Sequence, residues 1–205
     1  MGWYEDHVLP RAVELTCGGS RMDGWRRRAT EGLAGTVLEL GFGSGLNVGL
    51  YPDEVTEVLA VEPSAVARAR SARRTAASEV PVRHVGLDGQ QVPLDDDSVD
   101  AALCTFTLCT IPDVGAALAE VRRVVRPGGV FHFLEHGRSP DPTVRRWQQR
   151  LNPLEQRLAG GCQLVRDPVE LVVAAGMEVV ASSSRYASGP RPWTYFTVGR
   201  AVVPG

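Results

Sequence analysis

The sequence has no lysine, and all 22 of its basic residues are arginine. With abundant alanine and glycine, this points to a GC-rich bacterial genome and carries no mechanism. Neither charge is in excess: a formal net charge of −2 offers no electrostatic ground for nucleic-acid binding. No apolar run approaches the roughly 18 residues that span a bilayer. The start Met1-Gly2-Trp3-Tyr4-Glu5-Asp6 lacks the basic-then-apolar layout of a secretion signal, and Asp6 stands where N-myristoylation wants Ser or Thr. A cytoplasmic protein without a membrane anchor is expected. Cysteine is scarce. Cys17, Cys104, Cys109 and Cys162 are scattered, without CxxC or other zinc spacing, so free thiols, mostly in the core, and no metal are expected. No linker, charge block or internal repeat divides the 205 residues, so residues 1–205 read as one domain.

What the chain does have is an alternation of short apolar runs and amphipathic segments. Trp3, Val8, Leu9, Ala12, Val13 and Leu15 recur at helical spacing over residues 3–16, and Trp25, Ala29 and Leu33 share one face of a second helix over Arg21–Leu33. Strand candidates follow at Thr36–Leu40, Val58–Val61, Val82–Val85, Val99–Thr105 and Val130–Leu134. Ser64 can cap an Ala/Arg-rich helix running to Ala77, and an amphipathic helix over Val114–Val125 stops at Arg126-Pro127-Gly128-Gly129. Ser139–Cys162 is polar, proline-bearing and predicted helical in pieces. Pro168–Ala175 is a helix ended by Gly176, and strands at Glu178–Ser182 and Trp193–Val198 close the chain. The alternation argues an α/β, doubly wound, mostly parallel sheet with a final antiparallel hairpin.

The first strand runs straight into Gly41-Phe42-Gly43-Ser44-Gly45-Leu46-Asn47, a turn that lets a ligand approach the backbone. Dinucleotides and S-adenosylmethionine compete for such a turn. The dinucleotide fingerprint GxGxxG wants a small residue at its sixth position, where Leu46 stands. Here the spacing is GxGxG, with Asn47 predicted to open a short helix that Pro52 limits. A pyrophosphate needs a helix N-terminus close by, whereas S-adenosylmethionine needs only a backbone surface beside its amino-acid part. The glycine placement favours the second. Glu62, 21 residues after Gly41 at the end of the second strand, can accept from two ribose hydroxyls; the plain alternative is a solvated acid at a strand end.

Taken together, LELGFGSG, VEPS, Gly86-Leu87-Asp88-Gly89-Gln90, DDDSVD, LCTFTLCTIPD and EVRRVVRPGG resemble the class I S-adenosylmethionine-dependent methyltransferases, nearest to the ubiquinone/menaquinone-type C-methyltransferases. The likeness covers residues 34–136. It implies a seven-stranded Rossmann-like sheet of order 3-2-1-4-5-7-6, last strand antiparallel, in three α/β/α layers, with S-adenosyl-L-methionine as cofactor. It sets Glu39, Gly41, Gly43 and Gly45 at the methionine part, with Asn47 also among the cofactor-binding residues, and Glu62 at the ribose. Pro63 and Ser64 would flank the adenine, Asp88 and Gly89 would reach its edge, and Thr105 and Phe106 would sit near the sulfonium. Phe42 is bulkier than the residue common between these glycines, and Gln90 stands where an acid is frequent.

Further along, Phe133-Leu134-Glu135-His136, Trp147-Gln148-Gln149 with Asn152-Pro153, and Gly161-Cys162-Gln163-Leu164-Val165-Arg166 resemble the membrane-anchored alkyl thiol methyltransferases of animals, as does Leu108-Cys109-Thr110. No apolar run like their N-terminal anchor stands in these residues, so no membrane attachment is expected. The resemblance implies a small-molecule thiol acceptor, in a pocket formed by the N-terminal helices (1–33) and the insertion 137–165. A thiol with pKa near ~8.5 needs only partial help to ionise. His136, at the end of the fifth strand, is the candidate general base and Glu135 its orienting partner; a structural or substrate-orienting histidine is the alternative. Cys109, Trp147 and Cys162 are pocket candidates, although apolar packing also accounts for the cysteines, and a metal held by His136 with them has no support in spacing. Arg26-Arg27-Arg28 and Arg68, Arg70, Arg73, Arg74 read as solvated faces. A C- or O-methyltransferase of a quinone or natural product, and a non-catalytic cofactor-binding module, are the competing readings. Enzymes acting on amino groups are disfavoured by Thr105-Phe106-Thr107-Leu108, where their Asn-Pro-Pro-Tyr-like motif would stand. A monomer or homodimer is expected.

Overall fold

A computed structural model describes residues 18–205; the helix predicted over residues 3–16, and Cys17, lie outside the described residues. β1 (Gly35–Leu40), β2 (Val55–Val61), β3 (Val82–Gly86), β4 (Val99–Thr105), β5 (Val125–His136), β6 (Glu178–Tyr186) and β7 (Tyr195–Val202) form one sheet in the order β3-β2-β1-β4-β5-β7-β6. β1 to β5 are mutually parallel, and β7 runs antiparallel between β5 and β6. Strand order reverses between β1 and β4, which opens a crevice beyond their C-terminal ends, the place where open α/β sheets bind ligands.

The central strands are mostly apolar, with Glu39 a buried exception in β1, because both faces of the sheet are covered. Leu38, Leu40, Ala102 and Cys104 pack into one core with α3 (Val114–Val124) and α5 (Pro168–Ala174). Val37, Ala101 and Leu103 pack into the other with Met22, Trp25 and Ala29 of α1 (Ser20–Thr30). Period-2 alternation therefore turns Glu39 toward the α1 side. α2 (Ala65–Ala76) begins at Ser64, whose hydroxyl accepts from the Ala67 amide at 3.2 Å, as its position predicts.

Three local expectations differ from the structure. After Gly45 no helix opens at Asn47: Val48 N–H bonds Gly45 C=O and Leu50 N–H bonds Asn47 C=O, a run of tight turns instead. Arg126–Gly129 does not stand outside the sheet. β5 begins at Val125, paired with Val99, and the register shifts before Val130 pairs with Ala101, so the Pro-Gly-Gly stretch forms an irregularity inside the strand. Residues 139–162 are not helical in pieces, because α4 (Pro142–Leu158) is one helix of 17 residues that carries Pro153 within it. Asp141 caps it by accepting from the Thr143 and Val144 amides, and Pro142 occupies the first turn, where its missing N–H costs nothing. No helix among the described residues is long and apolar enough to cross a membrane.

Candidate functional site

β1 delivers its chain into the crevice through Gly41, whose φ is +70°. A Cβ there would lie 2.1 Å from Thr107 Oγ1, so close approach of the β4 loop as well as the left-handed backbone requires glycine. Gly43, at φ +58°, differs: a Cβ on it would meet no atom nearer than 3.9 Å, so it borders open space. That space is a cleft of about 620 Å³, walled by the glycine turn, Glu62–Ser64, Leu87–Gln90, Thr105–Thr107 and Ile111, with Gly160 at its far side.

Glu62, 7% exposed, lines the cleft at the end of β2. One carboxylate oxygen accepts the Gly43 amide at 2.7 Å and the other the Ser64 amide at 2.8 Å. Burial pushes its pKa up, against the pull of those two amides and Arg68. Each oxygen keeps a lone pair for a ligand hydroxyl. Asp88 and Gly89 line the cleft as expected. Asp88 accepts from the Gln90 amide and side chain, and Gln90 Oε1 accepts from the Asp113 amide at 3.0 Å. The amide at position 90 thus ties the β3 loop to the start of α3, which a carboxylate could not do in both directions.

Beneath the turn lies a polar network that the sequence shows only in part. Glu39, 1% exposed, accepts from Tyr51 O–H at 2.5 Å and from Asn47 Nδ2 at 2.8 Å. Arg26, 4% exposed, donates to Asn47 Oδ1 at 2.8 Å and to Thr105 Oγ1 at 2.9 Å, and its guanidinium lies over the Phe106 ring. Burial lifts Glu39 to about 7 despite Tyr51, Asn47 and Arg26. Glu39 and Asn47 therefore support the turn from below and do not line the cleft. Arg26, expected on a solvated face, is buried in this network. Arg26 and Tyr51 are the residues that sequence reasoning missed. Phe106 has φ +54°, an unusual backbone for a bulky residue, and it lines the cleft at the end of β4.

The acceptor-side candidates divide. Glu135 is 1% exposed; its Oε1 accepts the Thr107 amide at 2.7 Å and the Leu108 amide at 2.9 Å, so it braces the loop after β4 and does not bond His136. Burial raises its pKa against those two amides. His136 Nε2 lies 3.0 Å from Cys162 Sγ. Burial alone would lower the imidazole pKa, but Cys162, with Glu135 and Glu155, outweighs it and the net shift is upward. Cys162 is pulled well below the usual thiol range, first by Cys109 and then, against burial, by His136. Cys104, Cys109 and Cys162 are buried and form no disulfide. Trp147 is 52% exposed on α4, with Arg150 over its ring, and does not line the cleft. Gln148 is fully buried and bonds Ser139, Gly137 and Pro192. Asn152 accepts from the Leu164 amide at 2.8 Å.

Comparison with known proteins follows the same lines. Residues 38–133 match a methyltransferase domain family. The chain is 33% identical over 174 residues to thiol S-methyltransferase TMT1B of Rattus norvegicus, covering 82% of this chain and 68% of that protein. It is 35% identical over 137 residues to the Homo sapiens TMT1B, of which it spans little more than half, 55%, with 64% of this chain matched. Demethylmenaquinone methyltransferase of Clavibacter sepedonicus is 32% identical over 136 residues, 64% of this chain and 54% of that one. In fold, the chain is similar to an S-adenosylmethionine-dependent methyltransferase from Mesorhizobium loti, with a TM-score of 0.68 at 16% identity over 90% of this chain and 98% of that one. It is similar to the same degree, 0.68 at 14% identity, to a geranyl diphosphate methyltransferase in complex with GPP and sinefungin, over 90% and 77%.

Proposed function

The chain belongs to the class I S-adenosylmethionine-dependent methyltransferases, and from that premise we propose that it methylates the sulfur of a small-molecule thiol. The observation that favours sulfur is the reach of the likeness. The rat thiol S-methyltransferase matches 82% of the chain, whereas the human thiol enzyme and the demethylmenaquinone enzyme each match 64%, at 35% and 32% identity. The second reading, C- or O-methylation of a quinone or natural product, is favoured by that quinone relative.

S-adenosyl-L-methionine supplies a methyl group on a sulfonium, already activated for displacement. The residues present fit it. Gly43 leaves open the space that a side chain would fill, and Glu62 offers its remaining lone pairs to the two ribose hydroxyls. In this reading Gly41 and Gly43 seat the methionine part, while Gly45, which packs against Val48, Phe42 and Ser71 away from the cleft, holds the turn together with Glu39, Asn47, Tyr51 and Arg26. Pro63, Ser64, Asp88 and Gly89 receive the adenine, and Thr105 and Phe106 stand beside the reacting end. Phe106, Leu46 and Ile111 exclude water from the approach line. What the protein must add is position, with nucleophile and methyl carbon held about 3 to 3.5 Å apart. A thiol is partly ionised near neutral pH, so no strong base is needed. The described part of the N-terminal segment and residues 137–165 form the acceptor side of this single domain.

A panel of alkyl and aryl thiols, catechols and quinols, each with the full chain and the methyl donor, tests the reading. Thioether products are expected. Turnover on quinols alone would hand the site to the second reading.

A further inference from the structure

Three soft donors that the cofactor cleft does not use meet behind its wall. Cys109 comes from the turn after β4, His136 is the last residue of β5, and Cys162 sits in the turn after α4. One ligand atom from each, the two sulfurs and a ring nitrogen, lie within 4.8 Å of one another. We propose that these three residues bind a zinc ion, with the fourth coordination position open.

The donor set carries the identity. Two thiolates and an imidazole suit zinc, whereas carboxylate-rich sites suit magnesium or calcium. Tetrahedral zinc with Zn–S near 2.3 Å and Zn–N near 2.0 Å sets its sulfurs about 3.8 Å apart and sulfur to nitrogen about 3.5 Å apart. His136 Nε2 and Cys162 Sγ, now 3.0 Å apart in a hydrogen bond, open by roughly half an ångström to receive the ion. Among the described residues no fourth His, Cys, Asp or Glu joins the three. Three protein ligands with one open position is the pattern of zinc sites that bind a substrate or water, while structural sites close with four.

The backbone holds the donors in place before any ion arrives. Gln163 N–H bonds the Cys109 carbonyl at 2.9 Å, and Arg166 donates to the carbonyls of Leu108 and Ile111, which clamps the Cys162 turn onto the Cys109 loop. Glu135 fixes the same loop through the Thr107 and Leu108 amides. Buried cysteines that merely fill space pack against apolar neighbours. Here two sulfurs face each other and an imidazole. A disulfide between the cysteines would leave the aim of His136 at Cys162 without a purpose. Thr110 and Gly160, close in sequence to two of the ligands, line the cleft, so the ion lies against its wall. Binding releases the thiol protons to solvent. This inference rests on the donor geometry and does not depend on which acceptor is methylated.

The test is metal analysis of the full, reduced chain equilibrated with zinc and then passed through metal-free buffer, followed by cobalt substitution. About one zinc per chain is expected, with a thiolate-to-cobalt charge-transfer band in the near ultraviolet. Cys109→Ser, Cys162→Ser and His136→Ala should each lose the band and most of the metal, while Cys17→Ser keeps both. S-adenosylhomocysteine binding by each variant reports that it is folded. Absence of zinc and of the cobalt band from folded wild type overturns the proposal, as does stoichiometric zinc retained by all three ligand variants. The wild-type arm decides the matter even where a variant does not fold.

Discussion

Glu62 is the residue on which the cofactor assignment turns. Its two oxygens are already bonded to the Gly43 and Ser64 amides, so the proposed ligand for the ribose is also the strut that ties the glycine turn to the end of the second strand. Hydrogen bonds to a charged group are worth about 1.5–3 kcal/mol, so Glu62→Ala should weaken S-adenosylhomocysteine binding by at least tenfold in calorimetry. An affinity equal to wild type would remove Glu62 from the site. Glu39 makes a different prediction. Its carboxyl, lifted to about 7 by burial, holds its proton in the folded state at pH values where the unfolded chain, near 4.5, has released it. Folding then binds the extra proton between about pH 4.5 and 7, so stability falls as pH rises through that window, by about 3 kcal/mol in the limit. Denaturation of wild type and Glu39→Gln across that range should show the wild type losing stability relative to the variant as pH rises; parallel curves would contradict it. Glu62 was legible because it sits at a fixed offset from the glycines. Arg26 and Tyr51 were not, since Arg26 reaches Asn47 across 21 positions and Thr105 across 79, and no local pattern marks a pairing over such distances.

Among the elements, the β1 turn shows two glycines doing different work. Gly43 keeps the cleft open, while Gly41 lets Thr107 pass beneath it. Gly41→Ala combines a left-handed backbone with a contact at 2.1 Å, and should destabilise the chain by about 2–4 kcal/mol. Thr107→Gly added to it should recover part of the loss in a double-mutant cycle; full additivity would show that the two residues do not meet. The strands were legible from their apolar runs, because a doubly covered sheet leaves no other pattern. α4 was not, since Pro142, Pro153 and a polar surface read as breaks. The helix is held by tertiary bonds through Gln148 and Asn152 that sequence spacing does not reveal. The turn after Gly45 misled in the opposite direction: Asn47 looks like a helix start but its side chain is committed to Glu39, Arg26 and Thr105.

At the scale of the whole molecule, the strand reversal between β1 and β4 gathers residues from five loops into one cleft. The half of that cleft proposed to hold the methyl donor is built from the ends of β1, β2, β3 and β4, and its motifs stand in the sequence in order. The side proposed to take the acceptor depends on how α4 and the turn carrying Cys162 fold back onto the β4 loop, an arrangement made by Arg166, Gln163 and Asn152 and written in no contiguous motif. Methyl transfer to sulfur is tested most directly by mass spectrometry of products from the full chain with S-adenosylmethionine carrying a trideuterated methyl group and an alkyl thiol. A trideuteromethyl thioether is expected, formed one for one with S-adenosylhomocysteine and lost in Glu62→Ala at limiting donor. A chain that binds S-adenosylhomocysteine yet leaves every thiol unlabelled would contradict it.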